Sequence, residues 1–291
     1  MKKIGALEAG GTKMVAAIIK EDGEILERVS IPTEEPDKTV AELIRFFKER
    51  EVDALGIGSF GPVDLKKGSP TYGYIKNTPK PGWKDYNLLG AFQEGLGVPV
   101  YIDTDVNVAA LGEYYYGEYA KDEPEVFLYI TIGTGIGIGV VINGQPLHGA
   151  MNLEGGHIVI RPRADETFRG GCPYHEYCFE GMASGWSLQQ KYGVPSRQLA
   201  DREDVWDAES DYIAQGLADY IYTLCPGKII LGGGVMKQTQ LMPMVRKKTL
   251  EILNGYLSLD ELKDIDNYIV LDSLHDNQGV LGCLALCTKL A

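Results

Sequence analysis

Disulfide bonding and membrane insertion have little support in this sequence. Only five of its 291 residues are cysteine, and three of them, Cys225, Cys283 and Cys287, lie in apolar surroundings such as LGCLALC. We expect these three to be buried, reduced thiols, as in a cytoplasmic protein. No apolar run approaches the length of a membrane span, and the first residues, MKKIGALEAGG, lack the apolar core of a secretion signal.

Positive charge is also scarce. Lysine and arginine total 28 against 41 aspartate and glutamate residues, which gives a formal net charge of -13, and the acidic residues are scattered rather than clustered. Such a surface repels nucleic acids and anionic membranes, so a small-molecule partner is favoured. The length, with 44% hydrophobic residues, suffices for one large domain or two lobes with a real core.

The sequence has no Ser- or Pro-rich linker, and instead it repeats a pattern. KIGALEAGGTKMVAAIIKEDGEIL and EVFLYITIGTGIGIGVVINGQPLH each contain apolar runs separated by a glycine-rich turn and a tight turn. Each copy predicts three antiparallel strands, and strand-helix alternation follows both. The pattern predicts two similar α/β lobes with a cleft between them, lined by a glycine hairpin from each lobe.

Further strands and helices are predicted from periodicity. Strands are expected at ALGIGSFG, VPVYID and KIILGGGV, and helices near KTVAELIRFFKER, VNVAALGEYYYG, ADREDVWDAESDYIAQGLADYIYTL, VRKKTLEILNGYL and NQGVLGCLALCTKL. The tyrosines of GEYYYGEY fit either a subunit interface or a core helix face.

Three glycine clusters, EAGGTK, GTGIGIG and LGGGV, could bind a phosphate. The first is not a Walker A loop, because Gly11 stands where that motif has lysine, and the second continues as a strand, unlike a dinucleotide fingerprint. Both are predicted to be hairpin turns whose amides, with the hydroxyls of Thr12, Thr131 and Thr134, approach a polyphosphate. The third ends a strand and precedes a predicted helix. Any one cluster fits an ordinary turn, but three in a duplicated pattern favour a nucleotide.

The order of these motifs resembles a known family. GGTK, IDTDVN, TIGTGIGIG, EGGH with the Cys-rich segment after it, and IILGGGV occur as in the ROK family of sugar kinases, over essentially the whole chain. EAGGTK, GSFGPVD, NTPKPGW and CPYHEYCFEG look most like its bacterial fructokinase branch. The resemblance implies an actin-like, ribonuclease-H-like α/β fold with duplicated βββαβα lobes. The N-terminal lobe would span 1–110, with helix 276–291 packing back onto it, and the C-terminal lobe would span 111–275.

The same resemblance implies an activity and its cofactors. The family uses ATP with Mg²⁺ to phosphorylate a hexose hydroxyl, and the branch implies conversion of D-fructose to fructose 6-phosphate by a cytoplasmic homodimer. Its nucleotide contacts would fall on the three glycine clusters: Gly10, Gly11, Thr12, Lys13, Thr131, Gly133, Thr134, Gly135, Gly232, Gly233 and Gly234. Glu8 stands where much of the family has aspartate, and a water-mediated contact with Mg²⁺ is the hypothesis for it.

Asp105, in YIDTDVNVAAL, is the candidate catalytic base. It follows an apolar strand and opens a predicted helix, and from the residues alone an N-cap aspartate is favoured. The resemblance makes Asp105 the group that takes the proton of the attacking hydroxyl, whereas Asp103 does not match the family base. Thr104 differs from the asparagine of many related glucokinases, which leaves the identity of the sugar open.

The resemblance also assigns substrate contacts. Glu154, His157 and Glu180 match sugar-binding positions, and carboxylates and imidazoles can read sugar hydroxyls. From the residues alone, Glu180 could equally be a solvated surface glutamate. Asn77 and Gly61 are weaker candidates at the pocket wall.

Cys172, His175 and Cys178 have the local spacing of a zinc site, CPYHEYC. The resemblance adds His157 as the fourth ligand and shows His175 as a departure, since most relatives have a third cysteine there. Four protein ligands would leave no position for a water, so the Zn²⁺ is predicted to be structural and to orient His157 toward a sugar hydroxyl.

Three alternatives stay open at this stage. A sugar-sensing repressor would need a DNA-binding domain, which we do not expect because the first glycine hairpin lies within the first residues. A zinc hydrolase would need an open ligand position. Glucokinase, mannokinase or N-acetylhexosamine kinase specificity cannot be separated from fructokinase by these motifs.

Overall fold

The N-terminal apolar runs form the three predicted antiparallel strands, β1 (Lys3–Ala9), β2 (Lys13–Lys20) and β3 (Ile25–Pro32). They belong to a computed structural model that describes residues 2–78 and 80–290. The chain divides into two units. The first comprises Met1–Glu123, Gly139–Leu153 and Ser273–Ala291, and the second comprises Pro124–Ile138 and Glu154–Asp272.

The first unit is built on one five-stranded sheet in the order β3-β2-β1-β4-β7. Its remaining elements are α1 (Pro36–Glu49), β4 (Ala54–Ser59), β5 (Tyr74–Ile75), β6 (Tyr86–Asn87), α2 (Leu88–Leu96), β7 (Val100–Thr104) and α3 (Asp105–Tyr116). Strands β1, β4 and β7 run parallel, and Ala9, Ser59 and Thr104 are neighbours in register at their carboxyl ends. The residues that follow these strands therefore meet at one edge of the sheet.

The second half of the chain repeats this topology. Its elements are β8 (Val126–Ile132), β9 (Ile136–Ile142), β10 (Gln145–Pro146), α4 (Phe179–Ala183), α5 (Gly185–Tyr192), α6 (Glu203–Leu224), β11 (Lys228–Gly232), α7 (Leu241–Leu253), α8 (Ile265–Tyr268) and β12 (Ile269–Leu271). The sheet order is β10-β9-β8-β11-β12, and β11 is parallel to both β8 and β12. Both sheets thus share one strand order, which confirms the predicted duplication.

The last helix, α9 (Gln278–Thr288), packs against α3, β1 and β4 of the first unit. It is buried on nearly all sides, so its sequence is apolar throughout rather than amphipathic. Small residues permit this contact: a Cβ on Gly282 would lie 1.6 Å from the Val108 carbonyl oxygen, and one on Gly112 would lie 1.9 Å from that of Gln278. Backbone therefore meets backbone between α3 and α9.

Two details differ from the sequence expectations. Cys225, predicted to be buried, is exposed at the C-cap of α6 with φ of 44°. The last residue of LGGGV begins a 3₁₀ turn, Val235–Lys237, and the predicted helix, α7, begins only at Leu241. Among the tyrosines of GEYYYGEY, Tyr115 donates a 2.9 Å hydrogen bond to the Gly144 carbonyl oxygen inside the first unit. None of the described helices is long and apolar enough to cross a membrane.

Candidate active site and metal cluster

Two acidic residues lie on one row at the carboxyl edge of the first sheet, on strands that are separated by β4. Glu8 on β1 is aligned with Gly58 on β4, which is aligned with Asp103 on β7. Burial raises the pKa of Glu8 to about 7, against the opposing charges of Arg28 and Lys13. Nearby Asp105 adds to the increase. The Glu8 carboxyl is thus poised to titrate near neutral pH, and a bound cation would favour its charged form.

Asp105 is the first residue of α3 and is exposed. The N-cap is Thr104 instead, whose Oγ1 accepts a 3.1 Å hydrogen bond from the backbone N–H of Asn107. Asp105 Oδ1 accepts a 2.9 Å hydrogen bond from the backbone N–H of Val106. The N-cap alternative for Asp105 is therefore wrong, and its carboxylate lies at the positive end of a helix, where negative charge is stabilised.

The first glycine hairpin lies beside these strand ends. The Gly10 carbonyl oxygen accepts a 2.7 Å hydrogen bond from Thr33 Oγ1, and the Gly11 carbonyl oxygen accepts one from Lys80 Nζ. Gly11, Thr12 and Lys13 are exposed. The turn is thus held by hydrogen bonds to two of its backbone carbonyl oxygens, while its exposed residues are open to a ligand.

The other two candidates of the first unit follow β4 and β5. Gly61 is exposed two residues after the end of β4, and its neighbour Phe60 donates its N–H to the Ala9 carbonyl oxygen at 2.7 Å. Asn77 is exposed after β5, and its neighbour Lys76 donates its N–H to the Pro62 carbonyl oxygen at 2.7 Å. The structure therefore brings the Gly61 loop to the glycine hairpin, and it links the Asn77 loop to Pro62.

The second and third glycine clusters are adjacent in the second unit. Gly232, the last residue of β11, is paired in register with Thr131 on β8. Gly133 N–H donates a 2.9 Å hydrogen bond to the Gly135 carbonyl oxygen and so closes the turn that contains Thr134. Gly233 has φ of 90°, and a Cβ there would lie 2.5 Å from the Ile132 carbonyl oxygen. The GTGIG hairpin and the LGGGV loop thus leave the sheet side by side.

Glu180 connects the second hairpin to the Cys-rich segment. It lies on α4, two residues after Cys178, and its Oε2 accepts a 2.9 Å hydrogen bond from the backbone N–H of Ile136. It is half-buried rather than a solvated surface residue. Glu154 precedes a 3₁₀ turn, Gly155–His157, in which His157 N–H donates a 3.0 Å hydrogen bond to the Glu154 carbonyl oxygen.

The four predicted zinc ligands form one cluster, in which all ligand atoms lie within 4.8 Å of one another. His157 Nδ1 is 3.9 Å from Cys172 Sγ and 3.7 Å from Cys178 Sγ, and His175 Nδ1 is 3.6 Å from Cys172 Sγ. Tetrahedral Zn²⁺ with ordinary bond lengths would separate such N and S atoms by about 3.6 Å. The donor set and its spacing therefore fit a four-coordinate zinc ion.

Burial raises the pKa of the Cys178 thiol to about 11, so a bound cation would be needed to hold it as a thiolate at neutral pH. Because His157 presents Nδ1 to the thiols, its Nε2 is left for a second partner. In a metal-bound imidazole this nitrogen carries the proton and is a hydrogen-bond donor.

Sequence reasoning missed the partners of Asp103. Its Oδ1 accepts hydrogen bonds from Thr104 N–H and from Asn107 Nδ2, both at 2.7 Å, and its Oδ2 lies 2.9 Å from His148 Nε2. The signal for Asn107 was its position one helical turn after Asp103. Nothing in the sequence around His148, PLHGA, indicates a contact with Asp103, because only the fold brings His148 to β7.

Comparison with known proteins identifies the family. The sequence profile of the ROK family matches residues 4–289, so the chain belongs to the ROK family. It is 43% identical to a fructokinase of Pediococcus pentosaceus, over 97% of this chain and 96% of the relative. It is 42% identical to a fructokinase of Lactococcus lactis subsp. cremoris, over 98% of this chain and 97% of the relative.

Among solved structures, the chain resembles a ROK family glucokinase from Streptomyces griseus in complex with glucose and AMPPNP. The TM-score is 0.74 at 25% identity, and the match covers 98% of each chain. The fold is therefore the actin-like α/β fold of ROK sugar kinases, as the resemblance implied.

Proposed function

We propose that this protein is an ATP-dependent fructokinase, which converts D-fructose to fructose 6-phosphate. The observation that carries the proposal is the identity of 42–43% to fructokinases over nearly the full length of both chains. The glucokinase from Streptomyces griseus is only 25% identical. The choice of fructose over glucose rests on this difference.

Asp105 is the general base of the proposed reaction. Its carboxylate takes the proton of the fructose 6-hydroxyl as that oxygen bonds to the γ-phosphorus, and the bond from phosphorus to the β,γ-bridging oxygen breaks to release ADP. The exposed position at the first turn of α3 supports this role, because the carboxylate is accessible and the helix end favours its charged form.

The glycine clusters form the proposed nucleotide contacts. Gly133 and Gly234 have open space where a Cβ would stand, and Thr134 is exposed beside them, which suits close approach of phosphate oxygens. Gly10–Lys13 offers an exposed hairpin tip of the same kind. Mg²⁺ would neutralise charge on the phosphates, and Glu8 is its proposed protein partner through water.

The zinc ion is proposed to be structural and to orient His157. With Nδ1 toward the cluster, the Nε2–H of His157 would donate to a sugar hydroxyl, and Glu154 and Glu180 would accept from others. Zinc would supply rigidity and a fixed tautomer, and it would take no part in phosphoryl transfer. Thr104, Asn77 and Gly61 complete the proposed substrate contacts.

The experiment that tests the function is ATP consumption against a panel of fructose, glucose, mannose and N-acetylhexosamines, with mass and ³¹P NMR analysis of the products. We expect the highest kcat/KM with fructose and phosphate on O6. A higher kcat/KM with any other sugar of the panel would overturn the specificity. We further propose a cytoplasmic homodimer, and light scattering of the purified protein should give twice the chain mass.

A further inference from the structure

An acidic residue lies buried beside the proposed base. Asp103, two residues before Asp105, is 2% exposed. Its Oδ1 accepts the Thr104 N–H and Asn107 Nδ2, and its Oδ2 faces His148 Nε2 at 2.9 Å. Both oxygens thus have partners within the protein, and His148 is the only cationic side chain in contact with them in the described part of the chain.

His148 comes from the segment after β10, remote in sequence from α3. Its side chain is 35% exposed and lines a cavity of about 540 Å³ together with Lys67, Tyr72 and Asp103. The hydrogen bond to Asp103 and the charge of that residue raise the pKa of His148, while burial and Lys67 oppose the increase. The remaining elements present only uncharged side chains to the cavity: Leu89 and Gln93 from α2, and Leu286 from α9.

We propose that His148 is a positioning residue for phosphoryl transfer, which holds Asp105 in its reactive orientation through Asp103 and Asn107. The inference rests on the proposed role of Asp105 as the base. Asn107 is bonded twice, by its side chain to Asp103 and by its N–H to Thr104 Oγ1. These bonds fix the first turn of α3, in which Asp105 is the first residue, and small displacements of a base reduce kcat strongly.

The charge of His148 makes its contact with Asp103 depend on pH. Below the ordinary pKa of imidazole, the charged pair is fully formed, and it is lost as the pH rises through the raised pKa of the folded protein. The neutral ring can still donate through Nε2–H, but a charge-assisted hydrogen bond is about twice as strong as a neutral one. The first turn of α3 should therefore loosen, and kcat should fall by a few-fold on the alkaline side.

The test compares kcat and KM for fructose and ATP between about pH 5.5 and 9 in three variants of the zinc-loaded enzyme. His148→Ala should lower kcat about tenfold and leave the KM for ATP unchanged. His148→Gln keeps a donor to Asp103, so it should restore most of kcat but lack the alkaline step. His275→Gln, at an exposed histidine of the same unit, is the matched control and should behave as the wild type.

Wild-type kcat in His148→Ala, or an unchanged alkaline step in His148→Gln, would overturn the inference. Thermal unfolding and zinc content check that each variant is folded. If His148→Ala does not fold, Asp103→Asn decides, because it keeps an acceptor for Asn107, removes the charge and should abolish the alkaline step. Retained turnover in Asp105→Asn would instead refute the proposed base, and so separates failure of the function from failure of this inference.

Discussion

Glu180 Oε2 accepts a 2.9 Å hydrogen bond from the backbone N–H of Ile136, which links helix α4 to the second glycine hairpin. The contact is close: a Cβ on Gly135 would lie 2.6 Å from the same oxygen. Cys178, the N-cap of α4, belongs to the metal cluster. One carboxylate therefore joins the segment proposed to bind zinc to the turn proposed to bind the nucleotide.

Substitution of Glu180 should separate its structural hydrogen bond to Ile136 from its proposed contact with the sugar. Glu180→Gln keeps an oxygen that can accept from Ile136 N–H but loses the charge, so we expect an unchanged melting temperature and a KM for fructose raised about tenfold. Glu180→Ala leaves that N–H without its acceptor and should also lower the free energy of unfolding by about 1–3 kcal/mol. Glu176→Gln, at an exposed position nearby, is the control. An unchanged KM in both Glu180 variants would remove this residue from the sugar site.

Asp105→Asn should abolish turnover without abolishing binding. The amide is isosteric but cannot take a proton, so kcat should fall by about 10²–10⁴-fold. Titration calorimetry should show fructose affinity within a few-fold of the wild type. Asp37→Asn, in the first turn of α1, is the matched control and should retain full activity. A kcat within a few-fold of the wild type in Asp105→Asn would exclude a general-base role.

The metal cluster predicts one zinc ion per chain. Elemental analysis of the purified protein should give one equivalent, and Cys178→Ser should lose it, because the hydroxyl is a poor replacement for a thiolate. We expect the variant to melt at a lower temperature, because metal binding contributes to folding. Cys225→Ser is the control, since Cys225 is exposed and outside the cluster. Full fructokinase activity in a chain shown to be zinc-free would refute the proposed orientation of His157.

The duplicated topology was predictable because local sequence patterns determine it. Apolar alternation and tight turns predict the three antiparallel strands that begin each sheet, and their repetition along the chain predicts the second sheet. The short hairpin of β5 and β6 and helix α2 were not predicted. These elements carry little periodicity, and burial of Trp83 and Phe92 in the core fixes them instead.

The candidate site was predictable where its residues are close in sequence. A metal cluster was predictable from the spacing of Cys172, His175 and Cys178 alone. His157 was predicted as the fourth ligand only from the resemblance to a family. The contact between Asp103 and His148 could not be predicted, because nothing local in PLHGA marks its partner. Likewise, the expectation of a buried thiol was wrong for Cys225, which is exposed at the C-cap of α6 in a left-handed conformation.

The glycines of the proposed nucleotide site divide into two kinds. Gly133 and Gly234 have nothing within 4 Å of an added Cβ, so alanine there should leave the melting temperature unchanged and raise the KM for ATP about tenfold. Gly233 has φ of 90° and no room for a Cβ, so Gly233→Ala should lower the free energy of unfolding by about 1–3 kcal/mol. Calorimetric melting measures the stability of each variant, and steady-state kinetics measure its KM for ATP. An unchanged KM in Gly133→Ala and Gly234→Ala would place the phosphates elsewhere.

Glu8 should make the stability of the protein depend on pH. Burial raises its pKa from 4.5 in the unfolded chain to about 7 in the folded one, so between these values the folded state binds more protons. Protonated Glu8 therefore contributes stability that is fully present below pH 4.5 and is lost as the pH rises through 7. This loss lowers the free energy of unfolding by about 3 kcal/mol. Glu8→Gln should remove that slope, which urea unfolding at a series of pH values in wild type and variant would measure. If Mg²⁺ with nucleotide binds near Glu8, it should stabilise the charged carboxylate and flatten the wild-type slope, whereas an equal slope in both proteins would show that Glu8 does not titrate in this range.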